Sequence, residues 1–121
     1  MVSSDETSDV RVLIVDDAAS FREVAQQLLE RRGYVVVGEA GCAASARRAI
    51  AELSPDAVML DVNLPDANGF ELAEELMCAN PALAILLVSA NHAATEPSAA
   101  CGFVEKSQLA TVDLQAFWPE S

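Results

Sequence analysis

The chain has 121 residues, 52% of them hydrophobic and 21% charged. That is enough apolar content for one cored domain, and it excludes a compositionally disordered chain. Nineteen acidic residues against seven lysines and arginines leave a formal charge of −12, which argues against a basic nucleic-acid-binding face and against docking on an anionic membrane.

Residues 1–9 are polar and acidic and read as a flexible leader ahead of one domain over residues 10–121. The run Val12-Leu13-Ile14-Val15 follows, the first of several short apolar runs. Ser20 to Arg32 is a predicted helix, with Phe21, Val24, Ala25, Leu28 and Leu29 at the spacing of one helical face. Ser20 and Glu23 read as a capping box, and Gly33 suits the left-handed position after the helix. Tyr34-Val35-Val36-Val37 is the second apolar run, and a second helix over Ala43 to Leu53 stops at Ser54-Pro55. Ala57-Val58-Met59-Leu60 is the third run, and a third helix over Phe70 to Cys78 stops at Asn80-Pro81. Ala84-Ile85-Leu86-Leu87-Val88 is the fourth. Asn91 to Cys101 is Ala-rich, carries Pro97 and has no apolar stripe at helical spacing, so a loop or about one turn of helix is expected. Gly102-Phe103-Val104 is the fifth run, and residues 108–117 offer a last short helix.

The apolar runs are continuous rather than alternating, as in strands buried on both faces. Their alternation with helices and short links predicts an α/β fold, a doubly wound parallel sheet with helices on both faces. In such sheets the ligand crevice lies at the C-terminal strand ends. There the sequence places Asp16-Asp17 after the first strand, Asp61 after the third, Ser89 after the fourth and Lys106 after the fifth. Each alone reads as a helix cap, a turn residue or a surface lysine. Together they form an all-oxygen, carboxylate-rich set that suits Mg²⁺, with Mn²⁺ as a substitute, and not zinc. A carboxylate beside such a cation can attack phosphorus and become an acyl phosphate, with Lys106 offsetting phosphoryl charge.

These residues resemble the receiver domain of bacterial two-component response regulators over roughly residues 10–117. Val12 to Asp17 is similar to the family's acidic pair after the first strand. Asp61 to Gly69, with Pro65 at its centre, is similar to its D-x-x-x-P-x-x-x-G acceptor loop. Ser89-Ala90 and Phe103-Val104-Glu105-Lys106 match the remaining two blocks. The resemblance implies a flavodoxin-like three-layer sandwich, five parallel strands in the order 2-1-3-4-5; in this chain the segment of the family's helix 4 is expected to hold a shortened helix or none. It implies Asp61 as phosphoacceptor, and Mg²⁺ held by Asp17, Asp61 and the backbone carbonyl of Asn63, with Asp16 acting largely through water. It implies Ser89 and Lys106 on the phosphoryl oxygens, and Ser89 and Phe103 as switch residues. The implied partners are a sensor histidine kinase or phosphotransfer protein upstream and an unknown downstream protein, with no direct nucleic-acid or membrane contact. The implied activity is phosphoryl acceptance with slow loss to water, not enzymatic turnover.

The chain departs from the family in two places. Ser89 to Lys106 is about five residues shorter than usual, roughly one and a half helical turns. This removes length from the usual dimerisation surface, so a monomer is expected. Ser107 stands where many members have proline, so a trans bond is expected after Lys106. Few residues follow Lys106, so no output domain is expected. Cys42, Cys78 and Cys101 have no C-x-x-C spacing, and His92 is the single histidine, so the cysteines read as small apolar residues of a reducing cytoplasm. The polar, acidic N-terminus leads us to expect no signal peptide, and no apolar run approaches the ~20 residues of a membrane span. The alternative function is an interaction module of the same fold that signals without phosphate. An aspartyl-phosphate hydrolase is disfavoured, because it needs D-x-D-x-T after the first strand.

Overall fold

The computed structural model describes residues 10–90, 102–109, 111 and 118. Its elements are β1 (Arg11–Val15), α1 (Ala19–Arg31), β2 (Val35–Ala40), α2 (Ala43–Leu53), β3 (Ala57–Asp61), α3 (Gly69–Ala79), β4 (Ala84–Ser89) and β5 (Gly102–Glu105), with a turn of 3₁₀ helix at Lys106–Gln108. The five strands form one sheet in the order β2-β1-β3-β4-β5, every neighbouring pair parallel. This is the expected flavodoxin-like order. The expected loop over residues 91–101 and the predicted helix over 108–117 fall largely outside the described residues, as does the 1–9 leader.

Because successive strand residues face opposite sides, each central strand feeds two cores. Val12, Ile14, Met59, Leu86 and Val88 pack with Ala25 and Leu29 of α1 on one face. Leu13, Val15, Val58, Leu60, Ile85 and Leu87 pack with Ala43 and Ala46 of α2 and Leu72, Ala73 and Leu76 of α3 on the other. The result is three layers, with β1, β3 and β4 buried on both sides. On the α1 side, Trp118 packs edge-to-face on Tyr34, with ring centroids 5.4 Å apart.

Four details of the sequence reading are corrected. First, β2 is not buried on both faces: it is the sheet's edge, it runs to Ala40, and Val35 is 39% exposed. Its register against β1 slips between Val12 and Leu13, which leaves Val37 as the extra residue of a bulge. Second, the capping box does not form. α1 begins at Ala19, one residue before Ser20, and its N-cap Ala18 has no side-chain acceptor. The carboxylate of Asp16 instead accepts from the Ala18 amide at 2.8 Å. Third, Val24 does not join the buried face of α1; it is 61% exposed. Fourth, the third helix starts at Gly69 rather than Phe70, because the Asn68 side chain caps it by accepting from the Phe70 and Glu71 amides.

Other stops and starts agree with the local chemistry. Gly33 has a φ of 93°, the left-handed geometry that glycine adopts without steric cost after a helix. Ser54, held out of the right-handed helix by Pro55, closes α2 with a φ of 49°. Arg11 then donates to the carbonyls of Ser54 and Leu53, each at 2.7 Å, tying α2's C-terminus to the start of β1. The bond after Lys106 is trans, as Ser107 led us to expect.

Candidate functional site

The sheet order sets β1 and β3 side by side at its centre, so the residues after Val15 and at the end of β3 share one edge. Asp16 is wholly buried, Asp61 is 4% exposed and Ser89 is 2% exposed. Asp17 faces solvent. One carboxylate oxygen from each of Asp16, Asp17 and Asp61 lies within 4.8 Å of the others. Lys106, carried in by the turn after β5, sets its Nζ 2.6 Å from Asp16 Oδ2 and 3.9 Å from Asp61 Oδ2. Asp16 Oδ2 accepts no well-aligned hydrogen bond among the described residues, so this ion pair is what answers its charge.

Backbone bonds hold the rest of the edge. Asp16 N donates to Ala40 O at 2.9 Å, Val62 N to Val88 O at 3.0 Å and Gly69 N to Val62 O at 2.8 Å. The Asn63 amide donates to Asp61 Oδ1 at 3.3 Å, which folds the loop after β3 back on Asp61. Gly69 is required by close approach: a Cβ there would lie 2.3 Å from Asp61 O and 2.5 Å from Val62 Cα. Ser89 ends β4 beside Asp61, whose register partner is the preceding Val88. Phe103 points into the α2–α3 side of the core, where its ring stacks on Phe70 at 6.4 Å and 17°.

The electrostatics follow from this crowding. Burial, then the Asp16 carboxylate, push the Asp61 carboxyl up to about 6. Lys106 and the Asn63 amide oppose that rise, and Asp17 adds to it more weakly. Three carboxylates with one ammonium leave the ionised pocket with excess negative charge. A divalent cation with a preference for oxygen donors would remove that conflict, so the donor set fits Mg²⁺.

Two further residues support the edge and escape a reading by motif. Arg22 on α1 donates from Nη1 to the Asp16 carbonyl at 2.6 Å and from Nε to Glu39 at 2.7 Å, pinning the peptide that joins the acidic pair. Asp66, in the loop after β3, accepts from the Ala43 and Ala44 amides at 2.7 and 3.1 Å and so caps α2. Those bonds hold its carboxyl below the usual range. The available signal was indirect: Gly41-Cys42 offers α2 no capping side chain of its own.

Two expectations follow from this geometry. In magnesium-free buffer, Asp61 binds protons more readily folded than unfolded, so its ionisation destabilises the fold as pH rises from about 4 to about 6. Asp61→Asn is expected to match wild type in urea denaturation near pH 4 and to exceed it at pH 7. A wild type that loses no stability relative to the variant across that window would contradict the shared pocket. For Gly69→Ala, the new methyl meets backbone that cannot swing aside. The expected loss is about 1–3 kcal/mol of stability, read by the same denaturation.

Comparison with known proteins agrees with this architecture. The sequence profile of the response regulator receiver domain matches residues 12–108. The chemotaxis protein CheY of Thermotoga maritima is 40% identical over 80 residues, which cover 66% of this chain and 67% of that protein. A protein-glutamate methylesterase/protein-glutamine glutaminase of Agrobacterium fabrum is 41% identical over 91 residues, 74% of this chain. The chain spans only 26% of that relative's length. The signal receiver domain of the response regulator NarL from Mycobacterium tuberculosis superposes with a TM-score of 0.76 at 31% identity, covering 90% of this chain and 93% of that one. No helix among the described residues is long and apolar enough to cross a membrane. With this fold and this profile, the chain belongs to the response regulator receiver domain family of two-component signalling.

Proposed function

We propose that this receiver domain is a phosphoacceptor, taking a phosphoryl group on Asp61 from a phosphohistidine of a sensor kinase or phosphotransfer protein. The observation that carries the reading is the sheet edge where the exposed Asp17 meets the buried Asp16 and Asp61 and Lys106 reaches the two buried ones. Asp16, Asp17, Asp61 and the Asn63 carbonyl would hold Mg²⁺, or Mn²⁺ in its place. When bound, the cation offsets the charge of the phosphoryl oxygens.

The remaining steps belong to the chain. Near neutral pH, Asp61 is largely ionised even with its raised pKa, so it has a lone pair to offer. A carboxylate oxygen of Asp61 forms a bond to phosphorus as the phosphorus–nitrogen bond to imidazole breaks, and that electron pair leaves with the imidazole. The product is an acyl phosphate on Asp61. Lys106 is placed to follow the charge, because its ammonium already stands between Asp16 and Asp61. Ser89, at the end of the neighbouring strand, is suited to donate its hydroxyl to a phosphoryl oxygen. Ser89 and Phe103, on the neighbouring strands β4 and β5, are the pair this reading assigns as switch residues. Water slowly removes the phosphoryl group, so the domain is a relay component and not a turnover enzyme. In this reading the domain works in the cytoplasm as a monomer.

Intact mass after incubation with a small phosphodonor tests the reading. One added phosphoryl group is expected with Mg²⁺ or Mn²⁺ present, none after chelation, and none in Asp61→Asn. An added group that survives in Asp61→Asn would overturn the assignment. Absence of any added group in wild type would favour a module that signals by binding alone.

A further inference from the structure

Lysine is a point charge on a flexible four-carbon stem, so a lysine that must meet a phosphoryl oxygen needs something to hold its head. Carboxylates hold Lys106 on one side, at 2.6 Å from Asp16 and 3.9 Å from Asp61. A third neighbour is aromatic: Nζ stands 4.4 Å from the centroid of the Phe21 ring. The Lys106 side chain is 20% exposed. It borders an open groove of about 350 Å³ that Phe21, Val24, Leu28 and Ser107 also line. That groove gives the ammonium a route out to water, and the Phe21 ring forms part of its wall.

We propose that Phe21 is a positioning residue for phosphoryl transfer, its ring holding the Lys106 ammonium at the carboxylate pocket; this rests on Asp61 being the acceptor. A cation over an aromatic face is attracted by the ring quadrupole. The ring carries no charge and no lone pair aimed at the ammonium, so it does not compete with a phosphoryl oxygen as a third carboxylate would. It also tolerates sideways displacement. Nζ can therefore move from Asp16 toward an incoming oxygen and stay over the ring.

The ring is itself well placed to serve as a fixed point. Phe21 packs against the α1-side core. Its neighbour Arg22 donates its backbone amide to Ala18 O at 3.1 Å and its guanidinium to Asp16 O. The helical turn that carries the ring is thus bonded to the peptide that carries the acidic pair.

The test compares Phe21→Leu, which keeps an apolar side chain but removes the aromatic face, with Phe21→Tyr, which keeps the face. Initial rates of Asp61 phosphorylation from a small phosphodonor are measured across a Mg²⁺ titration. Phe21→Leu is expected to lower the maximal rate about two- to fivefold, the size of a cation–π contact at a partly exposed site, with the Mg²⁺ half-saturation unchanged. Phe21→Tyr is expected to restore the rate. In a Lys106→Ala background, Phe21→Leu is expected to add no further loss. A Phe21→Leu protein at wild-type rate, a Phe21→Tyr protein as slow as Phe21→Leu, or an equal loss without Lys106 would each overturn the proposal.

A urea-denaturation cycle over Phe21→Leu, Lys106→Ala and the double variant needs no phosphodonor. Non-additive stabilities are expected, and additive ones would overturn the contact. If Phe21→Leu unfolds below the assay temperature, Phe21→Met replaces it in both experiments. A wild type that takes no phosphoryl group on Asp61 overturns the phosphoacceptor reading, while the urea cycle still decides whether ring and ammonium are coupled.

Discussion

The ion pair between Lys106 and the buried carboxylate of Asp16 governs the site. Asp16 is wholly buried, and a charge in that position is costly unless it is paired. The pairing amino group comes from the far side of the sheet, beyond β3 and β4. The end of β1 therefore tolerates its buried charge only when β5 is in place and delivers Lys106. The same contact sets the ammonium beside Asp61, so the feature that makes the buried charge tolerable also equips the site chemically. Removing Lys106 leaves the Asp16 charge uncompensated in the core, and losing that partner is expected to be strongly destabilising.

Around that pair, three contacts across the fold restrain the acidic edge. Arg22 reaches from α1 to the carbonyl of Asp16. Asp66 reaches from the acceptor loop to the start of α2. Phe21 reaches from α1 to Lys106. Each links a loop or strand end at the edge to a helix whose position is set by its own core. The helices thus act as a frame, and the geometry of the edge is borrowed from hydrophobic packing that lies well away from it.

The fold was legible because buried parallel strands leave a simple trace. Val12–Val15, Ala57–Leu60 and Ala84–Val88 are apolar at every position, and topology then brings whatever follows them to one edge. The positions of Asp16, Asp61, Ser89 and Lys106 needed no side-chain contact to be foreseen. Edge effects were harder to read. Tyr34–Val37 has the same composition as a central strand, and only the strand order reveals that β2 lies outermost. The capping box was a false signal: Ser20 and Glu23 have the right spacing, but the Asp16 side chain sets the start of α1 earlier. Arg22, Asp66 and Phe21 were missed as site residues because their contacts join segments far apart in sequence. No periodicity records which side chain meets which across such a gap.

The Asp66 cap has a consequence for motion. Ala43 and Ala44 lose their acceptor whenever the loop after Asp61 departs from its position, because α2 has no cap of its own. The first turn of α2 and the acceptor loop therefore open and close as one cooperative unit. The two amides are an internal gauge of that unit: their exchange with solvent deuterium rises as the loop loosens and falls as it tightens. Order in the acceptor loop is thus written into a helix on the other side of Asp66, in a signal that can be followed without a probe attached to the site.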